Sequence, residues 1–405
     1  MMYKPRTLES LVLGFASSYP VVTITGPRQS GKTTFCRAVF PKKPYVNLEP
    51  LDEREYARND PRGFLAEYPD GAIIDEIQHA PDLSSYIQTI VDERPEPGRY
   101  IVTGSQHFGL TRTIAQSLAG RTAIVHLLPL SFDELIAFDS ATTDLCQVMF
   151  RGGYPAIHGR RLNARRWLGD YLATYVERDL RQVSQIGNLE AFGRFMALAA
   201  SRTAQETNLS DIGGDAGVSH NTIRTWMSVL EASFLVFRLP AWHRNLRKQL
   251  VKAPKLHVMD SGLACRLLGI RSADELRHHP LRGAIFESWV AAEIFKHRIH
   301  RGEPDGMFHF RSARGPEVDL VIQNGLSIIG CEVKSGATVD ESFLRPLRRF
   351  KELLAESAEV HPPTTRLVFG GDGGQTRTGT ECVGWRDLHR ATWLQAGSDD
   401  RPVPS

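Results

Sequence analysis

Two acids and a lysine are expected on one face of a β-hairpin in the last third of the chain. Residues 317–336 read EVDLVIQNGLSIIGCEVKSG, two strand-forming runs around Asn-Gly, which is a strong sequence signal for a hairpin turn. Because side chains alternate along a strand, Asp319, Glu332 and Lys334 share a face. Two carboxylates that can hold a divalent metal, with a lysine to hold water or offset phosphate charge, suit metal-dependent phosphodiester cleavage.

The register of this hairpin follows from the expected turn. A two-residue Asn-Gly turn pairs Gln323 with Leu326. Asp319 then lies opposite Gly330, and Glu332 is its diagonal neighbour. The other face is apolar and consists of Val318, Leu320, Ile322, Cys331 and Val333. The alternative interpretation is a salt-bridge patch on a half-exposed hairpin, since acid–lysine pairs on sheets are common and contribute little.

A second set of residues with phosphate chemistry lies near the N-terminus. The apolar run Val21–Thr25 is followed by GPRQSGKT, the pattern G-x-x-x-x-G-K-T, and then by helix-compatible sequence. Backbone N–H groups of such a loop cradle phosphates, Lys32 would neutralise β- and γ-phosphate charge, and Thr33 would ligate Mg²⁺. The residues expected to contact the nucleotide are Gly26, Pro27, Arg28, Gln29, Ser30, Gly31, Lys32, Thr33 and Thr34.

A short apolar strand that ends in two acids is the expected partner of this loop. In GAIIDEIQHAP, Asp75 would hold Mg²⁺ through water, and Glu76 would orient and polarise the water that attacks the γ-phosphate. An acidic pair at a strand exit is a weak signal alone. Beside a phosphate loop it becomes specific.

Two further polar positions follow the next strands. The run RYIVTGS ends in a side chain that could sense the γ-phosphate, either Thr103 or Ser105. Arg121 precedes another apolar strand. It could reach the ATP of a neighbouring subunit as an arginine finger, or it could be an ordinary surface arginine.

Together these motifs resemble a large prokaryotic family of AAA+ ATPases whose C-terminal half is a domain of unknown function. The resemblance rests on the P-loop, IIDEIQ, VTGS, AGR…LLPLSFDEL and RGGYP, and it extends over nearly the whole chain. It implies ATP and Mg²⁺ as cofactors, and a ring or another head-to-tail homo-oligomer, because an arginine finger acts in trans. It also implies that Gly152-Gly153-Tyr154-Pro155 lines the adenine side of the site, with an ordinary turn between domains as the alternative.

Helical periodicity is expected over residues 132–200. Within it, Trp167, Leu168, Tyr171 and Leu172 fall along one stripe. An aromatic stripe at helical spacing is more often core than a ligand site, so we predict that these side chains are buried.

Residues 208–240 predict a helix-turn-helix and a strand, with Gly217 in the turn and Ser219 as N-cap of the second helix. The runs FLVFRLP and KLHVMD would be the two strands of a wing. Rings and basic residues without an acid lie between them or at their ends, namely Trp242, His243, Arg244, Arg247, Lys248, Lys252 and Lys255. This pattern favours contact with nucleic-acid phosphates, DNA being preferred, while a role in subunit packing stays open.

The order helix, strand, hairpin, helix, strand is similar to a restriction-endonuclease-like core, and the residues resemble its PD-(D/E)xK pattern. Glu287 lies on the first helix, Asp319 on the second strand, and Glu332 and Lys334 follow at the required spacing. The resemblance implies that Asp319 and Glu332 are metal ligands, that Glu287 completes the metal shell, and that Lys334 acts on water or phosphate. This chain departs from the pattern at Val318, where the family usually has proline.

The bulk composition is that of an ordinary soluble protein. The chain has 405 residues, 41% of them hydrophobic and 23% charged, and its net charge of +3 does not by itself indicate a nucleic-acid partner. The five cysteines are scattered without CxxC spacing, which argues against a zinc site or a disulfide scaffold and fits a reducing cytoplasm. No apolar run reaches transmembrane length and no signal peptide is evident, so no membrane partner is expected.

The sequence therefore predicts an α/β chain in four parts. They are an AAA+ P-loop ATPase core over 1–135, a helical lid over 136–200, a winged helix over 201–275 and a restriction-endonuclease-like α/β domain over 276–405. The predicted function is ATP hydrolysis that acts on nucleic acid and is coupled to metal-dependent cleavage. The alternative is a regulatory ATPase switch whose C-terminal domain only binds a partner.

Overall fold

Three β-sheets and the helices that cover them make up the fold. The computed structural model describes residues 3–104, 117–138, 144–175, 188–243, 253–303, 305–312, 315–355 and 363–393. In those ranges we find no helix long and apolar enough to cross a membrane.

The N-terminal unit is a parallel five-stranded sheet. Its strands are β1 (Val21–Thr25), β2 (Tyr45–Asn47), β3 (Ile73–Asp75), β4 (Tyr100–Thr103) and β5 (Thr122–His126). Its helices are α1 (Glu9–Ala16), α2 (Lys32–Val39), α3 (Leu51–Asn59), α4 (Pro61–Ala66) and α5 (Leu83–Glu93), with a 3-10 turn at Ile77–His79. The strand order is β2-β3-β4-β1-β5. Every residue of β1 is buried, because helices cover both faces of the sheet. The strands run parallel, so the carboxyl ends of β1, β3 and β4 lie at the same edge.

Helices connect this sheet to the rest of the chain. They are α6 (Phe132–Ala137), α7 (Leu145–Arg151), α8 (Pro155–Gly159), α9 (Ala164–Tyr175) and α10 (Leu189–Ser201). The predicted aromatic stripe is confirmed as core, since Leu168 and Tyr171 are buried and Trp167 and Leu172 pack against the same cluster. The rings of Trp167 and Tyr171 stack with their centroids 5.5 Å apart.

A helix-turn-helix unit follows, over residues 205–258. Its elements are β6 (Gln205–Glu206), α11 (Leu209–Ala216), α12 (His220–Ala232), β7 (Val236–Leu239) and β8 (Lys255–Val258). As predicted, Gly217 ends α11 in the left-handed region at φ 73°, and the Ser219 hydroxyl accepts the Thr222 N–H at 3.2 Å. The predicted wing strands β7 and β8 are an antiparallel pair, and β8 lies in the middle of the small sheet.

The connection between β7 and β8 was predicted to carry a basic, aromatic-flanked contact surface, and for two of its residues that prediction is wrong. Trp242 is buried against Phe310 and Phe350 of the C-terminal unit, and its indole N–H donates to Gln323 at 3.0 Å. Lys255 is buried among carboxylates. The remaining basic residues Arg244, Arg247, Lys248 and Lys252 lie outside the described part of the chain.

The C-terminal unit is a mixed six-stranded sheet between helices. Its strands are β9 (Met307–Arg311), β10 (Glu317–Asn324), β11 (Ser327–Lys334), β12 (Thr364–Phe369), β13 (Gly374–Arg377) and β14 (Thr380–Gly384). Its helices are α13 (Ser261–Leu267), α14 (Ala273–His278), α15 (Arg282–Ile299) and α16 (Arg345–Ala355), with 3-10 turns at Glu341–Leu344 and Trp385–Arg390. The sheet order is β13-β14-β12-β11-β10-β9. The predicted succession of helix, strand, hairpin, helix and strand is present as α15, β9, β10–β11, α16 and β12.

The predicted register of the hairpin is wrong. Asn324 pairs with Ser327 as the last pair of the strands, so Gly325 and Leu326 form the turn. Gly325 has φ 58° at the first central position, where a type II′ turn requires glycine. Asn-Gly was assigned to the centre of the turn, whereas the asparagine belongs to the strand. Gly330 pairs with Val321 instead of Asp319, and the regular pairing ends at Leu320 and Cys331, so Asp319 lies one residue beyond the last pair.

The faces of the hairpin also differ from the prediction at one residue. Val318 packs with Val321 on the side of α16, because the register of β10 against β9 shifts between these two residues. Leu320 and Cys331 pack on the opposite side, against α15. Both faces of the sheet are therefore covered, and Asp319 and Glu332 of the hairpin are buried.

Candidate functional site

The phosphate loop joins β1 to α2 in the conformation that its glycines allow. Gly26 has φ 146° and Gly31 has φ 95°, and a Cβ on Gly26 would lie 2.3 Å from the Leu127 carbonyl oxygen. The Lys32 ammonium donates to the carbonyls of Gly26 at 3.1 Å and Pro27 at 3.0 Å. Burial lowers the pKa of Lys32, and the nearby carboxylates of Glu76 and Asp75 oppose that shift.

Asp75, at the end of β3, accepts hydrogen bonds from three hydroxyl groups. The donors are Thr33 at 2.6 Å, Tyr45 at 2.8 Å and Thr103. Of the two predicted sensor residues, Thr103 therefore reaches the acidic side of the site, while Ser105 lies outside the described residues. Tyr45 could not be identified from the sequence, because it lies on a separate strand with no motif of its own.

Glu76 follows with a left-handed backbone, at φ 59°. The Gln78 amide donates to its Oε2 atom. A non-glycine residue in this region of φ is uncommon, so the bend directs the carboxylate away from the line of β3. Glu76 thereby lines the same cavity as the phosphate loop.

That cavity has a volume of about 560 Å³, within the range of small-molecule sites. Its lining includes Arg28, Gln29, Ser30, Gly31, Lys32, Thr33, Thr34, Glu76 and Pro155. Pro155 stands directly beside the loop, with its Cγ atom 3.9 Å from the position of a Cβ on Gly31. The structure thus brings together the predicted phosphate loop, the second acid and the proline of the Gly-Gly-Tyr-Pro segment.

Arg6 also lines the cavity and was not identified from the sequence. Its guanidinium donates to the carbonyls of Ser30 at 3.1 Å and Leu128 at 2.7 Å, and it pairs with Glu134 at 2.9 Å. Glu134 forms a capping box with Ser131 at the start of α6. The S-x-x-E spacing in SFDEL could have revealed Glu134, whereas a single arginine near the N-terminus carries no such signal.

Arg121 lies at the other end of the sheet. Its carbonyl accepts the Val21 N–H at 3.2 Å, which places it at the amino ends of β1 and β5. Its guanidinium pairs with Asp92, with Nη2 2.9 Å from Oδ2. Arg121 therefore does not line the phosphate cavity of its own chain.

A second polar site forms where β10 and β11 meet α15 and β8. The Lys255 ammonium lies 2.7 Å from Glu287, 3.4 Å from Asp319 and 3.5 Å from Glu317. Lys255 is 2% exposed, so these ion pairs are shielded from water. Glu287 comes from α15 and the other two acids from β10, so the contact joins two sheets and a helix.

The remaining predicted residues complete this site. The Lys334 ammonium lies 2.5 Å from Glu332 and 3.6 Å from Asp319. Asp319 also accepts the Val333 N–H at 2.9 Å, beyond the last regular pair of the hairpin. Its side chain thus takes the place of a ladder hydrogen bond where the strands part. We call Glu287, Asp319, Glu332 and, at the rim, Glu317 the carboxylate cluster.

Carboxylates outnumber ammonium groups in this cluster. Burial, and then the charge of Asp319, raises the pKa of Glu287 and of Glu332 to about 8 in each case. Burial alone would lower the pKa of Lys255 and Lys334, but the surrounding acids raise both above the ordinary value. The site therefore favours added positive charge or protons.

The fit of a divalent metal to this cluster is partial. Glu332 Oε2 is buried and has no hydrogen-bond partner among the described residues, so it could accept a cation. No group of three or more His, Cys, Asp or Glu side chains in that part of the chain is arranged to hold a metal ion. The Lys255 ammonium instead contacts two of the acids that a metal would need.

The comparisons with known proteins identify the class of the N-terminal unit. Residues 18–136 match the family described as "AAA domain", so this unit is an AAA-type P-loop ATPase domain. Residues 142–274 and 282–382 match two families described as domains of unknown function, DUF8612 and DUF4143. The chain also resembles the Walker-type ATPase PABY2304 of Pyrococcus abyssi, at 15% identity over 66% of this chain and 96% of that one, with a TM-score of 0.45.

The whole chain has relatives in mycobacteria. It is 30% identical over 353 residues to the uncharacterized protein Rv2008c of Mycobacterium tuberculosis, which covers 86% of this chain and 78% of the relative. The uncharacterized protein Mb2031c of Mycobacterium bovis matches with the same values. The protein belongs to the same family as these two proteins.

The ion pair between Arg6 and Glu134 predicts a pH-dependent contribution to stability. Burial alone would raise the pKa of Glu134, but Arg6 and His300 lower it to about 2. A carboxyl whose pKa is lower in the folded state than in the unfolded state stabilises the fold at pH values above its unfolded-state pKa. This contribution is lost as the pH falls toward 2. We expect Glu134→Gln to lower the free energy of unfolding by about 3 kcal/mol at pH 7 and by progressively less below pH ~5.

Urea unfolding of both proteins between pH 7 and pH 3.5 measures this difference. Glu190→Gln is the matched control, because Glu190 is exposed and pairs with Arg194 one helical turn away. The control should change stability by less than about 0.5 kcal/mol. If Glu134→Gln lowers the free energy of unfolding by the same amount at every pH in this range, the lowered pKa assigned to Glu134 is wrong.

Proposed function

We propose that the protein is an oligomeric, Mg²⁺-dependent ATPase that acts on nucleic acid, with metal-dependent phosphodiester cleavage at the carboxylate cluster. The observation that carries the ATPase part is the convergence of Lys32, Thr33 and Glu76 on one cavity, with Asp75 bonded to Thr33. Lys32 and Thr33 come from the start of α2, and Asp75 and Glu76 come from the carboxyl end of β3. They supply the charge, the metal ligands and the acid that γ-phosphate hydrolysis uses.

In this proposal each side chain has a separate task. The Lys32 ammonium leaves the carbonyls of Gly26 and Pro27 and binds β- and γ-phosphate oxygens instead. The N–H groups of the loop bind the other phosphate oxygens. Thr33 and Asp75 hold Mg²⁺, which offsets charge on the phosphates when it is bound. Glu76 orients the attacking water and accepts its proton. Pro155 packs against the adenine side.

Hydrolysis would be completed by a neighbouring subunit. Arg121 lies at the amino end of the sheet, far from the loop that follows β1, and its position suits a contact with the cavity of the next chain. In that arrangement Arg121 leaves Asp92 and stabilises the charge of the transferring phosphoryl group. The contact is head-to-tail, which generates a ring or another heterologous assembly.

The nucleic-acid part of the proposal rests on the carboxylate cluster and on α12. Asp319, Glu332 and Lys334 converge with Glu287, as phosphodiester cleavage would require. Asp319 and Glu332 would hold the metal, and Lys334 would hold the water or the phosphate charge. The second helix of the helix-turn-helix exposes polar residues, His220, Asn221, Arg224 and Thr225. Such a face suits contact with phosphates or base edges.

A regulatory ATPase switch is the second candidate function. It is favoured by Lys255, which contacts Glu287 and Asp319 where a metal would bind. If that contact is permanent, the C-terminal unit is a scaffold that binds a partner, and the nucleotide state controls assembly.

Lys32→Ala and Glu76→Gln should separate ATP binding from ATP hydrolysis. Lys32→Ala removes the main counter-ion of the phosphates, so both nucleotide affinity and hydrolysis are lost. Glu76→Gln keeps binding and lowers the turnover rate by about 100-fold or more, because only water activation is removed. Calorimetric titration with ATP and a phosphate-release assay measure the two properties. Lys42→Ala, at an exposed lysine, is the control, and normal turnover in Glu76→Gln would show that another carboxylate is catalytic.

Arg121→Ala should bind ATP normally and hydrolyse it slowly. Mixed with equal amounts of Lys32→Ala, it should recover about a quarter of the wild-type activity, the share of interfaces that then pair an intact loop with an intact arginine. Size-exclusion chromatography shows that the mixture assembles, and phosphate release measures the rescue. Arg94→Ala, at an exposed arginine near the same edge, should leave hydrolysis unchanged. Absence of rescue in a co-assembled mixture would exclude action in trans.

The cleavage activity is tested on single-stranded, duplex and branched DNA with Mg²⁺ or Mn²⁺, with and without ATP. Asp319→Asn, Glu332→Gln and Lys334→Met should each lower cleavage by about 100-fold or more. Isosteric changes are preferable to alanine because Asp319 and Glu332 are buried. Glu341→Gln, at an exposed acid of the same unit that pairs with Arg348 outside the cluster, is the control. Cleavage that persists in EDTA or in all three variants would contradict metal-dependent cleavage at the carboxylate cluster. The regulatory ATPase switch would then be the remaining candidate function.

A further inference from the structure

Lys255 is an unusual residue to find at the centre of an acidic cluster. It is the first residue of β8, in the helix-turn-helix unit, yet its ammonium reaches acids that belong to α15 and β10. Burying a lysine is costly unless it is paired, and here three carboxylates within 3.5 Å pair it. One positive charge from another unit thus fills the space between Glu287 and Asp319.

The cluster still has capacity for positive charge. Counting its side chains gives four acids, Glu287, Glu317, Asp319 and Glu332, against two lysines, Lys255 and Lys334. Glu332 is 5% exposed, and its Oε2 atom has no hydrogen-bond partner in the part of the chain that the structure describes. A doubly charged ion in place of Lys255 would displace the protons of Glu287 and Glu332, and it would then balance the four ionised acids more closely than the ammonium does.

The opposite end of β8 leads to Asp260, which is hydrogen-bonded to the glycine turn that precedes Pro155. Asp260, two residues beyond β8, accepts the Gly153 N–H at 2.7 Å and the Leu263 N–H at 2.9 Å. A Cβ on Gly152 would lie 2.2 Å from Asp260 Oδ1, and one on Gly262 would lie 2.9 Å from the Gly152 nitrogen. The backbones are thus in direct contact, so a movement of one displaces the other.

The same glycine turn leads into the nucleotide cavity. Gly153 is followed after one residue by Pro155, which lines the cavity beside Gly31 of the phosphate loop. One short strand therefore carries Lys255 at one end and is held at the other by the turn that precedes Pro155. A nucleotide that displaces Pro155 would pull on β8 through Asp260.

We propose that Lys255 is an internal cation that excludes a divalent metal from the carboxylate cluster, and that nucleotide binding beside Pro155 withdraws it through β8. The inference rests on the proposed metal site of the C-terminal unit and concerns its regulation. The Lys255 ammonium and a metal would compete for the same oxygens, since a metal needs contacts of about 2.0–2.6 Å to Asp319 and its neighbours. Both cations cannot occupy that space.

The two ligands must then influence each other. If ATP favours the state with Lys255 withdrawn, the divalent metal at the cluster favours ATP binding by the same factor. The shift is limited by the difference in affinity of each ligand for the two states.

The test measures Mn²⁺ binding by calorimetry in the full chain. Lys255→Met should bind Mn²⁺ at least tenfold more tightly than nucleotide-free wild type, and Lys255→Met/Asp319→Asn should lose that binding. Adding a non-hydrolysable ATP analogue to wild type should produce the same additional Mn²⁺ site. Asp260→Asn should hydrolyse ATP yet gain no Mn²⁺ site when the analogue binds.

Thermal unfolding provides a second measurement if Lys255→Met is poorly folded. Without metal its melting temperature should fall by about 5 °C or more, because buried acids lose their counter-ion, and Mn²⁺ should restore it. Lys296→Met is the matched control, since Lys296 is equally buried but pairs with one acid, Glu293, at 2.9 Å. The control should lose stability without recovery in Mn²⁺.

The outcomes separate the two ideas. Equal Mn²⁺ affinity in wild type and Lys255→Met overturns the inference and leaves the metal site standing. No Mn²⁺ binding or recovery in any variant removes the metal site itself, and with it the nuclease proposal. Tight binding in Lys255→Met with no effect of the analogue on wild type overturns the coupling through β8.

Discussion

The buried contact between Lys255 and Glu287 constrains how the parts of the chain assemble. An ammonium at this depth needs several carboxylates, and they come from a helix and a strand of another unit. This contact therefore holds the helix-turn-helix unit against the C-terminal sheet in the arrangement that the structure shows. Trp242 reinforces it from the other side of the small sheet, where its ring fills the core beside Phe350. The phosphate cavity is attached to the same arrangement through Asp260 and the glycine turn.

The cavity beside the phosphate loop could be predicted from the sequence because most of its predicted residues are local. The glycine loop, Asp75 and Glu76 lie within short segments whose strand and helix contexts determine where the side chains point. Tyr45 and Arg6 reach the same site from separate segments. Their positions depend on the packing of the sheet, which no spacing rule describes.

The carboxylate cluster was only partly predictable, for two physical reasons. The acids and Lys334 were found because moving the turn by one residue shifts the register by two residues. Such a shift leaves every side chain on its own face of the strand. The register of the hairpin and the position of Val318 were missed, because the turn residues and the irregularity in β10 depend on neighbouring strands. Lys255 was assigned to a basic surface because the sequence shows its charged neighbours along the chain, and the acids that bury it are 32 and 64 residues away.

The way β8 enters the acidic cluster also bears on how this protein can be divided. A fragment that starts at residue 276, the expected boundary of the last domain, would contain Glu287 and Asp319 but not Lys255, the lysine that pairs with both of them. In such a fragment the acids that Lys255 covers would be exposed to solvent. Proton and ion affinities measured on the fragment would therefore differ from those of the intact chain. The last unit has a complete sheet of its own, yet it is not an independent domain, since its acidic cluster includes the Lys255 side chain of the preceding unit.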